Sequence, residues 1–263
     1  MHAPSSDVSS DQWAELAADL LARLRGRSPR VHCISNTVAQ AFTANLLLAV
    51  GCVPSMTVDP GEVGAFVRSA DALLINIGTL DAGRRDAIDI AVTAAAGGVP
   101  VVLDPVFVDR VPTRAAFARD LARRTPAVIR LNRAEFATLA ECPAEAPHAD
   151  ALLSYARACG TVVALTGAQD WVADGSRLIT LHNGHPLMAQ VTAMGCAGSA
   201  LVAACLAVEP DPWRATAGAL VALGVAGEVA GARARGPGSF VVEILDVLHG
   251  LDRATLTQFV KVS

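Results

Sequence analysis

Residues 72–105 read ALLINIGTLDAGRRDAIDIAVTAAAGGVPVVLDP. The first six residues are nearly all apolar and β-prone, as is the run over 101–103. Strands that stay hydrophobic on both faces belong in a parallel sheet covered on either side by helices. Between them, over 83–96, apolar residues recur at helical spacing in an alanine-rich stretch. The alternation continues outward in both directions. Strands are expected over 31–35, 52–58, 72–77, 101–103, 127–131 and 161–165, and helices over 10–24, 38–50, 83–96, 114–123, 133–141 and 149–158. Residues 171–173 and 177–181, joined through Asp174-Gly175, read as a hairpin on a type I′ turn. From Cys196 onward the pattern is almost entirely helical, closing over 240–261. With no repeat and no long linker, the expectation is one α/β domain over 1–263. Its sheet is doubly wound and mainly parallel with helices on both faces, and residues 1–29 supply an N-terminal helix and its lead-in.

Composition narrows the function. The hydrophobic fraction of 52% provides a large core, and aromatics at 4% are too sparse for a base-stacking surface. A net charge of −4 offers no footprint for a nucleic-acid backbone. Every basic residue but Lys261 is arginine, so neither a Walker-type loop lysine nor a buried Schiff-base lysine is available. Phosphate handling would therefore fall to backbone amides, arginine and a metal. The polar, acidic start shows no signal peptide, and apolar runs such as 200–208 fall short of a membrane span of roughly 20 residues. The six cysteines have neither C-x-x-C nor zinc spacing and read as reduced thiols. These features describe a cytoplasmic protein with no membrane and no nucleic-acid partner.

In a doubly wound sheet, ligands bind at the carboxyl ends of the strands. The polar residues there are Ser35-Asn36, those at 76–79, Asp104-Pro105, those at 130–135, Thr166-Gly167 and those at 192–199. Residues 191–199, VTAMGCAGS, run through Gly195 into an apolar helix. Amides at such a helix start attract an anion, and a thiol there would have a lowered pKa; the bland reading is a glycine-bearing helix start. Asp104 either binds metal or caps a turn. Asn132 and Glu135 match a variant capping box, yet Asp104 and Glu135 beside Arg130 would also suit Mg²⁺ and nucleotide phosphate. Residues 182–186, HNGHP, read as a surface turn rather than a metal site, Met56 as core, and residues 236–239 as a helix stop followed by a Ser cap.

The order of these segments resembles one family across roughly residues 30–240. VHCISNTVAQAFTANLLLAVGCVPSM (31–56), LLINIGTL (73–80), VVLDPV (101–106), VIRLNRAEFATLA (128–140), ALTG (164–167), DWVADG (170–175), HNGHPLM (182–188), the Gly195-Cys196 segment and GPGSF (236–240) are similar to hydroxyethylthiazole kinases. The resemblance implies a ribokinase-like fold and ATP-dependent phosphorylation of the primary alcohol of 5-(2-hydroxyethyl)-4-methylthiazole, in a homotrimer with sites at subunit boundaries. It implies that Asn36, Met56, Gly78 and Thr79 line the thiazole pocket together with Ala193. Arg130 and Thr166 would contact ATP, and Asp104 and Glu135 would serve Mg²⁺. Gly195 and Cys196 would be catalytic, Cys196 standing where related sugar kinases place an aspartate base.

Four positions depart from the family pattern. Ala193-Met194 replaces Gly-x before Gly-Cys, Leu131 replaces the Gly of Arg-Gly-Asn, Ala168 replaces a Glu, and residues 107–110 (FVDR) replace a small glycine-bearing turn. The alternative reading is therefore a kinase-fold binding protein, or a kinase of another small alcohol.

Overall fold

The computed structural model describes residues 9–124, 126–142 and 149–263; the polar lead-in over 1–8 lies outside the described residues. The first half runs α1 (Ser10–Arg27), β1 (Arg30–Ile34), α2 (Gln40–Ala49), β2 (Val53–Ser55), α3 (Val63–Ser69), β3 (Ala72–Asn76), α4 (Ala82–Ala95) and β4 (Val101–Asp104). It continues with α5 (Pro112–Arg123), β5 (Val128–Asn132), α6 (Arg133–Ala140), α7 (Ala149–Cys159), β6 (Val162–Thr166), β7 (Asp170–Ala173) and β8 (Leu178–Leu181). A 3₁₀ turn (Pro186–Gln190) then leads to α8 (Met194–Leu206), α9 (Pro212–Arg233), α10 (Pro237–Gly250) and α11 (Arg253–Phe259).

The eight strands form one sheet in the order β2-β1-β3-β4-β5-β6-β7-β8, parallel through β6 and antiparallel beyond it. The expectation of a doubly wound, mainly parallel α/β sheet holds, with helices on both faces. Alternation along each strand divides the core: Ala72 and Leu74 face a layer built on α1, α8 and α9, while Leu73 and Ile75 face α4 and α5. Strand order reverses between the parallel neighbours β1 and β3, with β2 added on one side and β4 on the other, which places the switch point, and hence the crevice, at the ends of those two strands. Register completes the positioning: Asn76 lies opposite Asp104, and Asn132 opposite Thr166.

Several local expectations need correction. The hairpin has positive φ at Gly175 (92°) but not at Asp174 or Ser176. Asp174 and Arg177 close the turn, so Gly175 takes the first central position, the pattern of type II′ rather than I′. β2 ends at Ser55, and α3 has no counterpart in the sequence reading. α10 opens with Gly236 as its cap and Pro237 in first position; Ser239 lies inside the helix, its hydroxyl accepting from the Arg235 amide. α9 is long and apolar enough to cross a membrane, against the expectation of short apolar runs, but 83% of its most apolar stretch is buried within the fold. Its glycines explain that burial. A Cβ on Gly218 would sit 2.4 Å from Leu20 Cδ1, so glycine is what lets α1 approach α9.

Candidate active site

Four strand ends and the start of α8 converge on one buried polar chain. Asn36, after β1, donates through Nδ2 to Asn76 Oδ1 at 3.0 Å and to Cys196 Sγ at 3.3 Å. Asn76, at the end of β3, donates to Asp104 Oδ2 at 2.6 Å. Ser199, one turn into α8, donates to the same oxygen at 3.0 Å. Arg130 of β5 donates through Nη1 to the Gly195 carbonyl at 2.9 Å. Gly78 and Thr79 close one end of the chain: the Gly78 amide donates to Asn76 Oδ1, and Thr79 Oγ1 accepts from the Thr37 amide. The structure thus gathers Asn36, Gly78, Thr79, Asp104, Arg130, Gly195 and Cys196. Met56 follows edge strand β2 and packs against the α8-side core, outside this chain of hydrogen bonds.

The start of α8 suits an anion. Ala193 stands at its cap in the left-handed region (φ 72°), and no side chain caps the helix, so the first-turn amides of Gly195 and Cys196 face outward unclaimed. The thiol, however, is not acidified. Burial and the neighbouring Asp104 charge outweigh the hydrogen bonds from Asn36 and Asn76 and the Arg130 charge and push Cys196 up to about 11, which corrects the expectation of a lowered pKa. At neutral pH the residue is a thiol and not a base.

Asp104 is buried and does not cap its own turn. Burial raises its carboxyl above the ordinary range, opposed by Arg130, Ser199 and Asn76. Glu135 completes the capping box with Asn132: Oε2 accepts from the Asn132 amide at 2.8 Å, and Oε1 from the Phe107 amide at 3.0 Å. Burial, reinforced by Asp104, raises Glu135 to about 7. Phe107 has a φ of 57°, at the turn where the family places glycine, and the Glu135 bond holds that strained turn in place. Among the described residues, no trio of His, Cys, Asp or Glu forms a metal cage. Asp104 Oδ2 takes both of that residue's hydrogen bonds, leaving Oδ1 without a described partner. Two hard carboxylates with an open oxygen fit Mg²⁺, which relies on one or two carboxylates plus substrate phosphates.

Beside this chain lies a cavity of about 590 Å³, lined on one side by Arg130, Thr166, Gly167 and Gly195. Another part of its wall is the segment Asn183-Gly184-His185 with Met188, where the sequence predicts a surface turn. The missed signal is the glycine spacing in α9. Cβ atoms on Gly224, Gly227 and Gly231 would meet Asn183, Met188 and His185 at 2.8, 2.4 and 2.4 Å, so this wall rests in a glycine groove. Asp170, also lining the cavity and accepting from the Gly167 amide, was likewise missed.

Residues 21–254 match the model of the hydroxyethylthiazole kinase family. The chain belongs to that family. It is similar to the hydroxyethylthiazole kinase of Granulibacter bethesdensis (46% identity over 260 residues, 95% of each chain) and to that of Clavibacter sepedonicus (41% over 258 residues, 94% of each). The structure of the hydroxyethylthiazole kinase protein from Pyrococcus horikoshii OT3 matches with a TM-score of 0.90 at 38% identity, covering 95% of this chain and 98% of that one. A ribokinase-like superfamily protein from Enterococcus faecalis V583 matches at TM-score 0.68 and 14% identity, a likeness of fold alone. As a member of the hydroxyethylthiazole kinase family, the chain is a phosphotransferase with ATP as co-substrate and a small-molecule acceptor.

Proposed function

We propose that this chain transfers the γ-phosphoryl group of ATP to the primary hydroxyl of 5-(2-hydroxyethyl)-4-methylthiazole, acting as one kinase domain over 1–263. The observation that carries the reading is the uncapped start of α8. It lies between the hydrogen-bonded cluster of Asn36 and Gly78, which ends at Thr79, and a cavity bordered by Arg130 and Thr166. Phosphoryl transfer needs positioning and charge neutralisation more than covalent chemistry. In this reading Arg130 and Thr166 hold ATP, and the Gly195 and Cys196 amides receive charge developing on the transferred group. Asn36, Gly78, Thr79, Ala193 and Met56 line the acceptor pocket. Asp104 and Glu135 hold Mg²⁺, which when bound neutralises phosphate charge. The Cys196 thiol stands next to the reacting hydroxyl as a neutral group and adds little base catalysis.

The acceptor side is completed by a second copy in a homotrimer. Exposed apolar residues in the chain leading to Met56 support this: Val38 just before α2, Leu48 on α2 and Val53 on edge strand β2. A cytoplasmic location accords with six free cysteines. Thermal denaturation with ligand tests the nucleotide half of the proposal. Mg-ATP at about 100 times its Kd is expected to stabilise the wild type by about 2.7 kcal/mol, and Arg130→Ala to lose most of that gain. An unchanged Tm in wild type contradicts the assignment.

A further inference from the structure

Asn76 touches no cavity wall named above, yet it is the residue through which the two halves of the site are joined. Its side chain is fully buried and every polar atom of its amide is engaged. The orientation of that amide is dictated by a backbone group. The Gly78 N–H can only donate, and it donates to Oδ1 at 3.1 Å, so Nδ2 must face Asp104. The same logic fixes Asn36. The Ala39 N–H donates to Asn36 Oδ1 at 3.0 Å, which turns Asn36 Nδ2 toward Asn76 Oδ1 and Cys196 Sγ. Two backbone donors therefore set the polarity of a chain running from Cys196 through Asn36 and Asn76 to Asp104. Ser199 ties the far end of that chain back to α8, the helix that carries Cys196.

There is no slack in the arrangement. A Cβ on Gly78 would lie 2.9 Å from Asn36 Cβ and 3.1 Å from both Asn36 Nδ2 and Asn76 Oδ1, so the backbone is pressed against both amides. Asn36 follows β1 by two residues and Asn76 ends β3, the strands flanking the switch point.

We propose that Asn76 is the positioning residue that sets the spacing between the acceptor-side group Asn36 and the carboxylate Asp104, so that acceptor hydroxyl and phosphoryl donor are aligned together. The inference rests on the kinase reading given above. Because Asn76 is fully buried and lines no part of the cavity, each ligand binds through other groups that keep their own contacts, while the transfer step depends on how the two ends are spaced.

The test uses Asn76→Ala and Asn76→Ser in the full chain. Serine keeps one buried hydrogen-bonding group but is too short to reach both partners, so it separates bridging from simple polar satisfaction. Both variants are expected to lose about 10- to 100-fold in kcat. Their Kd values for ATP and for the thiazole alcohol, measured by calorimetry, stay within about threefold of wild type. A second readout needs no turnover. Removing the Asn76 side chain takes away its own contact with the Cys196 thiol and releases Asn36 as well, so iodoacetamide labelling of Cys196, followed by mass spectrometry, accelerates at least threefold while labelling of Cys142 is unchanged. A kcat within threefold of wild type in the serine variant overturns the proposal, as does a loss of affinity that matches the loss of rate. Unchanged Cys196 labelling overturns the linkage itself. If the wild type shows no turnover, the kinase reading fails, and the labelling result still decides whether Asn76 restrains the Cys196 end of the chain.

Discussion

At the scale of single residues, Ala193 shows what a departure from a family pattern does physically. Its φ of 72° is a conformation in which a Cβ meets the neighbouring carbonyl, and glycine escapes that clash. The fold therefore tolerates strain at the cap of α8, the helix start assigned to phosphoryl transfer. Ala193→Gly is expected to stabilise the protein by about 1 kcal/mol, read as a higher midpoint in denaturant. A lower midpoint would show that the alanine methyl contributes packing that outweighs the strain. The sequence pointed to this residue because the family pattern places glycine there. It gave no access to the state of Cys196, since burial and the Asp104 charge depend on which chain segments surround the thiol.

At the scale of elements, His32 joins β1 to the segment that follows β2. Its Nδ1 lies 2.8 Å from Ser55 Oγ and its Nε2 lies 3.1 Å from the Thr57 carbonyl. Burial lowers its pKa from 6.5 to about 4. The unfolded chain thus binds a proton on His32 between pH 6.5 and 4 that the folded chain refuses. Stability is lost as pH falls through that window, in total by roughly 3 kcal/mol. Glu135 acts with the opposite sign. Its folded pKa of about 7 exceeds the ordinary 4.5, so its contribution is lost as pH rises through that interval. A wild-type profile sums the two, and the difference between wild type and His32→Gln isolates the histidine. That difference is expected to shrink toward pH 4 and reach its full size above pH 6.5, measured from denaturant midpoints. A difference independent of pH would contradict the assignment.

At this scale the strands were the most legible feature, because β3, β4 and β6 are apolar on both faces whatever surrounds them. The hairpin turn and the cap of α10 were less so. In each, a Gly or Ser next to another turn residue permits two adjacent assignments, and only the backbone dihedrals choose between them.

For the whole molecule, the order of strand ends determines the site. Asn36, Asn76, Asp104 and Arg130 are spread over 95 residues, yet all end up along one edge of the sheet once the strands pair in register. The carboxyl-edge rule therefore located most of the site before any contact was known. It did not locate the cavity wall that comes from the loop after β8 seated on α9 glycines. Glycine spacing inside a helix marks a close approach, but it does not say what approaches. Nor did composition show that the most membrane-like helix, α9, is the central packing element of one face.

The central claim is acceptor phosphorylation, and the most direct measurement is acceptor-dependent ADP release by the purified chain with Mg-ATP and 5-(2-hydroxyethyl)-4-methylthiazole, with the product weighed by mass spectrometry. The account predicts steady ADP formation only when the alcohol is present, and a thiazole product heavier by one phosphoryl group. ADP release that ignores the alcohol, or no turnover in either wild type or Ala193→Gly while the alcohol still binds, would contradict it and leave a kinase fold that holds its ligands without joining them.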